Sequence, residues 1–440
     1  KCLDTVLFCR YNKVEILRNR EENTMIYYVS ANGKDTNDGL SENSAFRSIS
    51  KVNETVRPGD EIRFHRGDAF YGKVITPRGK DESETTVYTA YGEGELPIIS
   101  AFKIPKKGVW EKHAENIYKL DVTDVSRYDG NIYDKGFDAN VGFIRVSGKI
   151  YPHKRFAYED LAEQWDFYND KSTLYVYSEK DPSELSDEIC LACRLDCLTL
   201  GDYIRVTNLC FRGIGAHGIN GCGHHVQIDH CEFREIGGSE LTGYRRPNIR
   251  YGNGVQFLSN CHDCVVEDCK FSDIYDVATT MQGSQLVIPW ENMFFRRNIM
   301  WNNQQCFEIW DRGELPNTGF VNCYFENNIC IDSGYCWSYA VRPNKDCSSH
   351  LLIYELELPL CDITVRNNVF VHARVATVYK SGGPEKIPKD YKIYDNLIIR
   401  PTGQKVVWKD RSSDEASDAY EEMLRQNNMV VERDNYESHY

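Results

Sequence analysis

Four side chains between residues 264 and 312 have the types and spacing for joint chemistry: Asp276, Gln282, Glu308 and Trp310. The stretch CVVEDCKFSDIYDVATTMQG is answered by MFFRRNIMWNNQQCFEIWDRG, with Cys269 and Asn298 in equivalent places 29 positions apart. Along a strand, side chains alternate between faces. Placing Val277, Thr279 and Met281 inside sends Asp276, Thr280 and Gln282 outside. The same logic turns Glu308 and Trp310 out, opposite Phe307 and Ile309, and turns Gln256 out between Val255 and Phe257. Two carboxyls, amides and an indole are the ingredients of glycosidic bond cleavage. One acid protonates the leaving oxygen, the other serves as base or nucleophile, amides bind hydroxyls and the ring stacks on a sugar. Asp273 and Asp311 are the other acids in reach. The bland alternative is a solvated polar face, which an outward tryptophan argues against.

These groups need a scaffold that stacks them. From Cys197 the chain repeats: IRVTNLCF, VQIDHCEF, CVVEDCKF, MFFRRNIM, VNCYFENNIC, ITVRNNVF and YKIYDNLII, each followed by a turn and a second apolar strand. Cys210, Cys231, Cys269, Asn298, Asn328, Asn368 and Asn396 read as one column, and a side-chain amide repeated on each turn can hydrogen-bond to its neighbour and to turn backbone. A period near 29 residues suits a stacked solenoid. The sequence therefore predicts an all-β fold, a right-handed parallel β-helix with an early inserted β-rich subdomain and short helical caps. Residues 1–24 read as a leader outside the fold, with Met25 as a natural start. Residues 25–85 read as N-terminal cap and first turns, 86–196 as the insertion, 197–410 as the core with the site, and 411–440 as a C-terminal cap or tail. Two expanded turns, 239–252 and 343–360, read as walls of a groove.

Of the 440 residues, 41% are hydrophobic and 27% charged, with a net charge of −14. That acidity argues against nucleic acid and against an anionic membrane surface, and 28 tyrosines lean towards a neutral ring-shaped ligand such as a sugar. Many of the seventeen cysteines fall at strand-like positions and read as buried thiols, which points to a cytoplasmic or an anaerobic setting. Cys261 and Cys264 form a CxxC without a second pair at a matching distance, so no metal is expected there. No signal-peptide pattern is legible at the start, and the sequence leaves the oligomeric state open.

The opening pattern YVS-NG-D--DG-S---F-SI--V-----PGD-I-F--G resembles the N-terminal cap of right-handed parallel β-helix proteins that act on polysaccharides. The runs RYGNGVQF, DIYDVATTMQG, CFEIWD and FENNICIDSGYCW look like the central turns of β-helical glycoside hydrolases, the β-xylosidase and fucosidase/xylanase groups. The resemblance implies a glycoside hydrolase with carboxylates on neighbouring turns, Asp276 and Glu308, and no cofactor. Substrate contacts are expected from Trp310, Gln282, Gln256, Tyr251, Tyr335, Trp337, Arg342 and Arg246. Gln256 stands where related sequences would be expected to carry another acid.

Two alternatives stay open at this point. A lyase or epimerase of the same fold would work on a uronate with Arg245, Arg246, Arg250, Lys270 or His217, with calcium in the case of a lyase. A non-catalytic carbohydrate-binding β-helix would need only the aromatics and amides. Aligning the Cys/Asn column places Asp276 opposite Gln305, with Glu308 three residues further along. That register implies an offset of roughly 10 Å along the strand and about 4.8 Å between turns. The separation leans towards inversion, with Glu308 as acid and Asp276 as base.

Overall fold

The computed structural model describes residues 24–128, 138–243, 246–283, 288–311, 319–343, 345–354, 360–381, 391–408 and 416–434. The expected leader lies outside them. Three long parallel sheets wind into a β-helix, and each complete coil contributes one strand to each sheet. The first sheet runs from Ile26–Val29 to Tyr391–Tyr394 and the second from Ala69–Tyr71 to Met429–Arg433. The third runs from Val74–Ile75 to Val407–Trp408.

The segments that read as single strands are two. Ile204–Thr207 belongs to the first sheet and Cys210–Ile214 to the second, with a sharp corner between them at Asn208. That corner recurs at His230, Asp268, Arg297, Asn327, Asn367 and Asp395, each in the left-handed region. Asn and Asp tolerate this conformation at little cost, so a single residue can turn the chain without a loop. Unbroken apolar patterning conceals such a bend.

Just past the corner stands the expected amide column, with one correction. Cys210 pairs with Glu232, so Leu209, and not Cys210, aligns with Cys231. The column then continues through Cys269, Asn298, Asn328, Asn368 and Asn396, and reaches Asn428 beyond the predicted set. From Asn328 onwards each Asn Oδ1 accepts the backbone N–H and the side-chain Nδ2–H of the preceding coil's Asn, at 2.9 and 3.0 Å between Asn298 and Asn328. Each Nδ2 also donates to an interior carbonyl such as Val266 O or Phe295 O. Inside, rings stack coil on coil, Phe211 on Phe233 at 5.0 Å and Phe233 on Phe271 at 4.7 Å. Every described cysteine is a free thiol, and all but Cys222 are buried.

Thr86–Tyr91 and Ile98–Ser100 are strands of the first and second sheets, so the inserted region starts later than residue 86. The chain leaves after Ser100, builds two largely antiparallel sheets between Phe102 and Cys193, and rejoins at Leu198–Thr199. The insertion has its own apolar cluster around Trp110, Leu120, Ile144, Phe167 and Leu191. At the other end, the helix Ala416–Asn427 packs Tyr420 on Trp408 and closes the core. No described helix is long and apolar enough to cross a membrane.

Candidate active site

The insertion, the 239–252 hairpin and the turn holding Arg342 all emerge where coils pass from the second sheet to the third. They therefore line up along one edge of the third sheet. Hairpin strands Ser239–Glu240 and Arg250–Tyr251 pair antiparallel, and at their foot Gly237 and Gly252 (φ 103 and 139) back onto one another too closely for any Cβ. Arg250 is buried and donates to Gly238 O, Pro152 O and Gly142 O, tying hairpin to insertion. Gln304 anchors the next wall through Ser338 and Ser348.

On the outer face of the third sheet the register stacks Thr199, Asn220, Gln256, Thr280, Glu308, Leu352 and Tyr379 in one column. Glu308 is the carboxylate of this column, and Thr280 Oγ1 donates to its Oε2 at 3.3 Å. Burial, then the neighbouring Asp276 charge, push the Glu308 carboxyl up to about 8, against the opposing pull of Arg342 and Thr280. Asp276 sits in the corner before Val277–Gly283, where Arg342 Nη2 meets its Oδ1 at 2.7 Å. Arg342 is buried, donates through Nη1 to Tyr275 O at 3.0 Å, and lies over the Tyr275 ring at 5.4 Å. A carboxyl with raised proton affinity and one engaged by an arginine thus share one patch.

The expected register is corrected by one residue. Val277, and not Asp276, faces Gln305, and Glu308 lies opposite Thr280. The corner ladder is in step through Asp273 and Asn302, joined at 2.6 Å, so the extra residue falls in Tyr275–Asp276. That added residue gives Asp276 its place in the bend, outside the strand ladder. A column alignment carried across a corner does not register it.

A polar chain runs along the sheet beside the pair. Gln256 Oε1 accepts from Asn253 Nδ2 at 2.6 Å and from Gln282 Nε2, while its Nε2 donates to Asn220 Oδ1 at 3.1 Å. Asn220 Nδ2 donates to Asp196 Oδ2 at 3.2 Å, and Lys73 Nζ lies 4.0 Å from the same oxygen. His217 Nδ1 accepts the Asn253 N–H at 3.0 Å, and burial holds this imidazole below its usual range. Tyr251 meets the His217 ring edge-on at 5.1 Å. Asp196, Lys73, Asn220 and Asn253 were not singled out from sequence. Asn220 could have been found as the residue in register with Gln256, whereas Asp196 carries no repeat signal.

The remaining expected residues are placed as follows. Trp310 pairs in register with Gln282 and Tyr354, and its buried indole N–H has no hydrogen-bond partner among the described residues. Trp337 packs on Phe143 and Tyr275, with its indole donating to Asp273 O at 2.9 Å, so it braces the wall. Tyr335 stacks on His372 at 4.8 Å. Arg246 is exposed at the hairpin tip. Asp273 is a corner residue bonded to Asn302, and burial raises its carboxyl to about 6. The Asp311 side chain and Arg245 lie outside the described residues.

No family model matches the chain. Over 97 residues, 20% of the chain, it is 32% identical to lacto-N-biosidase of Bifidobacterium longum subsp. longum, a stretch covering 6% of that protein. Among solved structures, XylC in complex with xylose aligns over 86% of this chain and 76% of its own, at 12% identity and a TM-score of 0.49. A rhamnogalacturonan lyase aligns over 92% and 87%, at 11% identity and a TM-score of 0.42.

Proposed function

We propose that this chain is a carbohydrate-active enzyme, and that it cleaves a glycosidic bond by hydrolysis. The observation that carries the reading is the placing of Glu308, hydrogen-bonded by Thr280 and raised in proton affinity by burial, beside Asp276, which Arg342 engages at 2.7 Å. Glu308, raised to about 8, keeps its proton at neutral pH and can give it to the departing glycosidic oxygen. Asp276, held by Arg342, can take a proton from water attacking the anomeric carbon, or attack that carbon itself. In the first case the water hydroxyl ends on the anomeric carbon, its proton on Asp276 and the Glu308 proton on the leaving alcohol. Gln282, Gln256 and Trp310 offer amides and a ring to the sugar beside them.

Elimination from a uronate is the competing chemistry; of the groups it would draw on, Arg246 lies exposed at the hairpin tip, while the buried or paired ones are engaged elsewhere. Arg342 is paired to Asp276, Arg250 to three carbonyls, and Lys270 to Glu232 on the second sheet. His217 Nδ1 accepts a backbone N–H. The test is a panel of neutral and uronate-containing glycans digested in 18O-labelled water. Hydrolysis places one label at each new reducing end. An unsaturated, unlabelled product would overturn the reading in favour of a lyase, and glycan binding without any product would reduce the chain to a binding module.

A further inference from the structure

The corner between the third and first sheets carries histidines that the candidate active site does not use. Tyr203, His225, Asp263, Asn292 and Asn322 succeed one another there, each in the left-handed region. Asn292 and Asn322 are ordinary occupants of such a corner and bond to each other, Asn322 Nδ2 donating to Asn292 Oδ1 at 2.6 Å. His225 and Asp263 break that pattern, and His262 lies beside them. Each of the three offers one ligand atom, and these atoms all fall within 4.8 Å of one another. Asp263 Oδ2 is 2.7 Å from His262 Nδ1 and 3.8 Å from His225 Nε2.

The surroundings hold the cluster in place. His225 N–H donates to His262 O at 3.1 Å, joining successive coils directly under the side chains. The Tyr203 ring stacks on His225 at 4.5 Å, and His224 stacks on His262 at 4.7 Å. Asn292 Nδ2 donates to Asp263 Oδ1 at 2.7 Å, which orients the carboxylate and leaves Oδ2 towards the histidines. The CxxC motif takes no part. Cys261 and Cys264 point inward and donate to Gly221 O and Gly223 O, and it is the His262–Asp263 pair between them that faces outward.

We propose that His225, His262 and Asp263 bind a divalent transition metal of the zinc class, as a staple between two coils. Two imidazoles and a carboxylate suit zinc, and closing the atoms onto an ion at about 2.0–2.2 Å needs only side-chain movement. The bound cation takes the place of the His262–Asp263 contact, and solvent completes its shell. The second cluster of this kind among the described residues, His153, Glu163 and Asp166, is a poorer candidate, because Arg155 already engages Asp166 at 2.9 Å.

The test is titration of the chelator-treated full chain with zinc chloride, followed by calorimetry and by thermal melting. One equivalent should bind and raise the melting temperature. His225→Ala, His262→Ala and Asp263→Asn should each weaken that binding at least ten-fold, while turnover by the Asp276 and Glu308 site stays unchanged. Cobalt(II) should give a visible spectrum of nitrogen and oxygen ligands without thiolate charge transfer. His262→Gln and circular dichroism guard against a variant that fails to fold. Absence of stoichiometric binding, binding that survives the histidine changes, or a thiolate signature would each overturn the proposal.

Discussion

Two columns of stacked side chains run along this molecule, and they differ in kind. The column from Asn298 to Asn428 repeats one residue type, leaves no amide idle and is buried as far as Asn396. The column from Thr199 to Tyr379 changes residue at every coil and sets Glu308 beside a second acid. Uniform repetition lets every donor meet an acceptor, which stabilises a solenoid and does nothing else. A change of residue at each level, with a carboxyl displaced from its ordinary proton affinity, works against stability and is what chemistry needs.

Changing each column in turn should separate the two roles. The largest effect is expected from Glu308→Gln, which should lower turnover by about 10²–10⁴-fold, the scale of general acid catalysis, with the fold intact. Asp276→Asn should cost as much and also move the alkaline limb of the wild-type pH profile downwards in its residual activity, since the Asp276 charge raises Glu308. Near-normal rates in both would end the pairing. In the other column, Asn328→Ala should destabilise by about 3 kcal/mol in denaturant melts, because Asn298 loses the acceptor for two donors, with KM unaffected. Equal stability would mean that the ladder is ornamental. Arg342→Met should slow turnover at least ten-fold and shift the alkaline limb upwards, because the cation opposing Glu308 protonation is gone. Trp310→Ala should weaken sugar binding by about 1–3 kcal/mol, read from KM in correctly folded protein.

The same contrast explains what the sequence disclosed. Repetition is legible, so the solenoid and most of the Asn ladder could be read from apolar strands and recurring amides. Corners made by one left-handed residue interrupt no pattern, so Asn208 and Asp268 read as strand interior and two strands read as one. Alternation along the strands is what singles out Glu308 and Asp276 as outward acids. The offset between them was misjudged because the coil holding Asp276 has one residue more at its bend. Arg342 was picked out, but its ion pair with Asp276 depends on a turn that only tertiary packing on Gln304 fixes. Lys73 and Asp196 lie on either side of the insertion in sequence, beyond the reach of any local pattern.

The pH dependence of Glu308 tests the central claim most directly, and it needs no substrate. A carboxyl raised in the folded state from 4.5 to about 8 contributes stability below pH 4.5 that is lost as pH rises through about 8. Glu308→Gln should therefore gain melting temperature relative to the parent across that window. Difference infrared spectra of parent against Glu308→Gln should show a protonated carboxyl band at pH 7 that disappears with a midpoint near 8. A band already gone by pH 6, with Glu308 titrating in the ordinary carboxylate range, would contradict the assignment of acid and base on which the proposed hydrolysis rests.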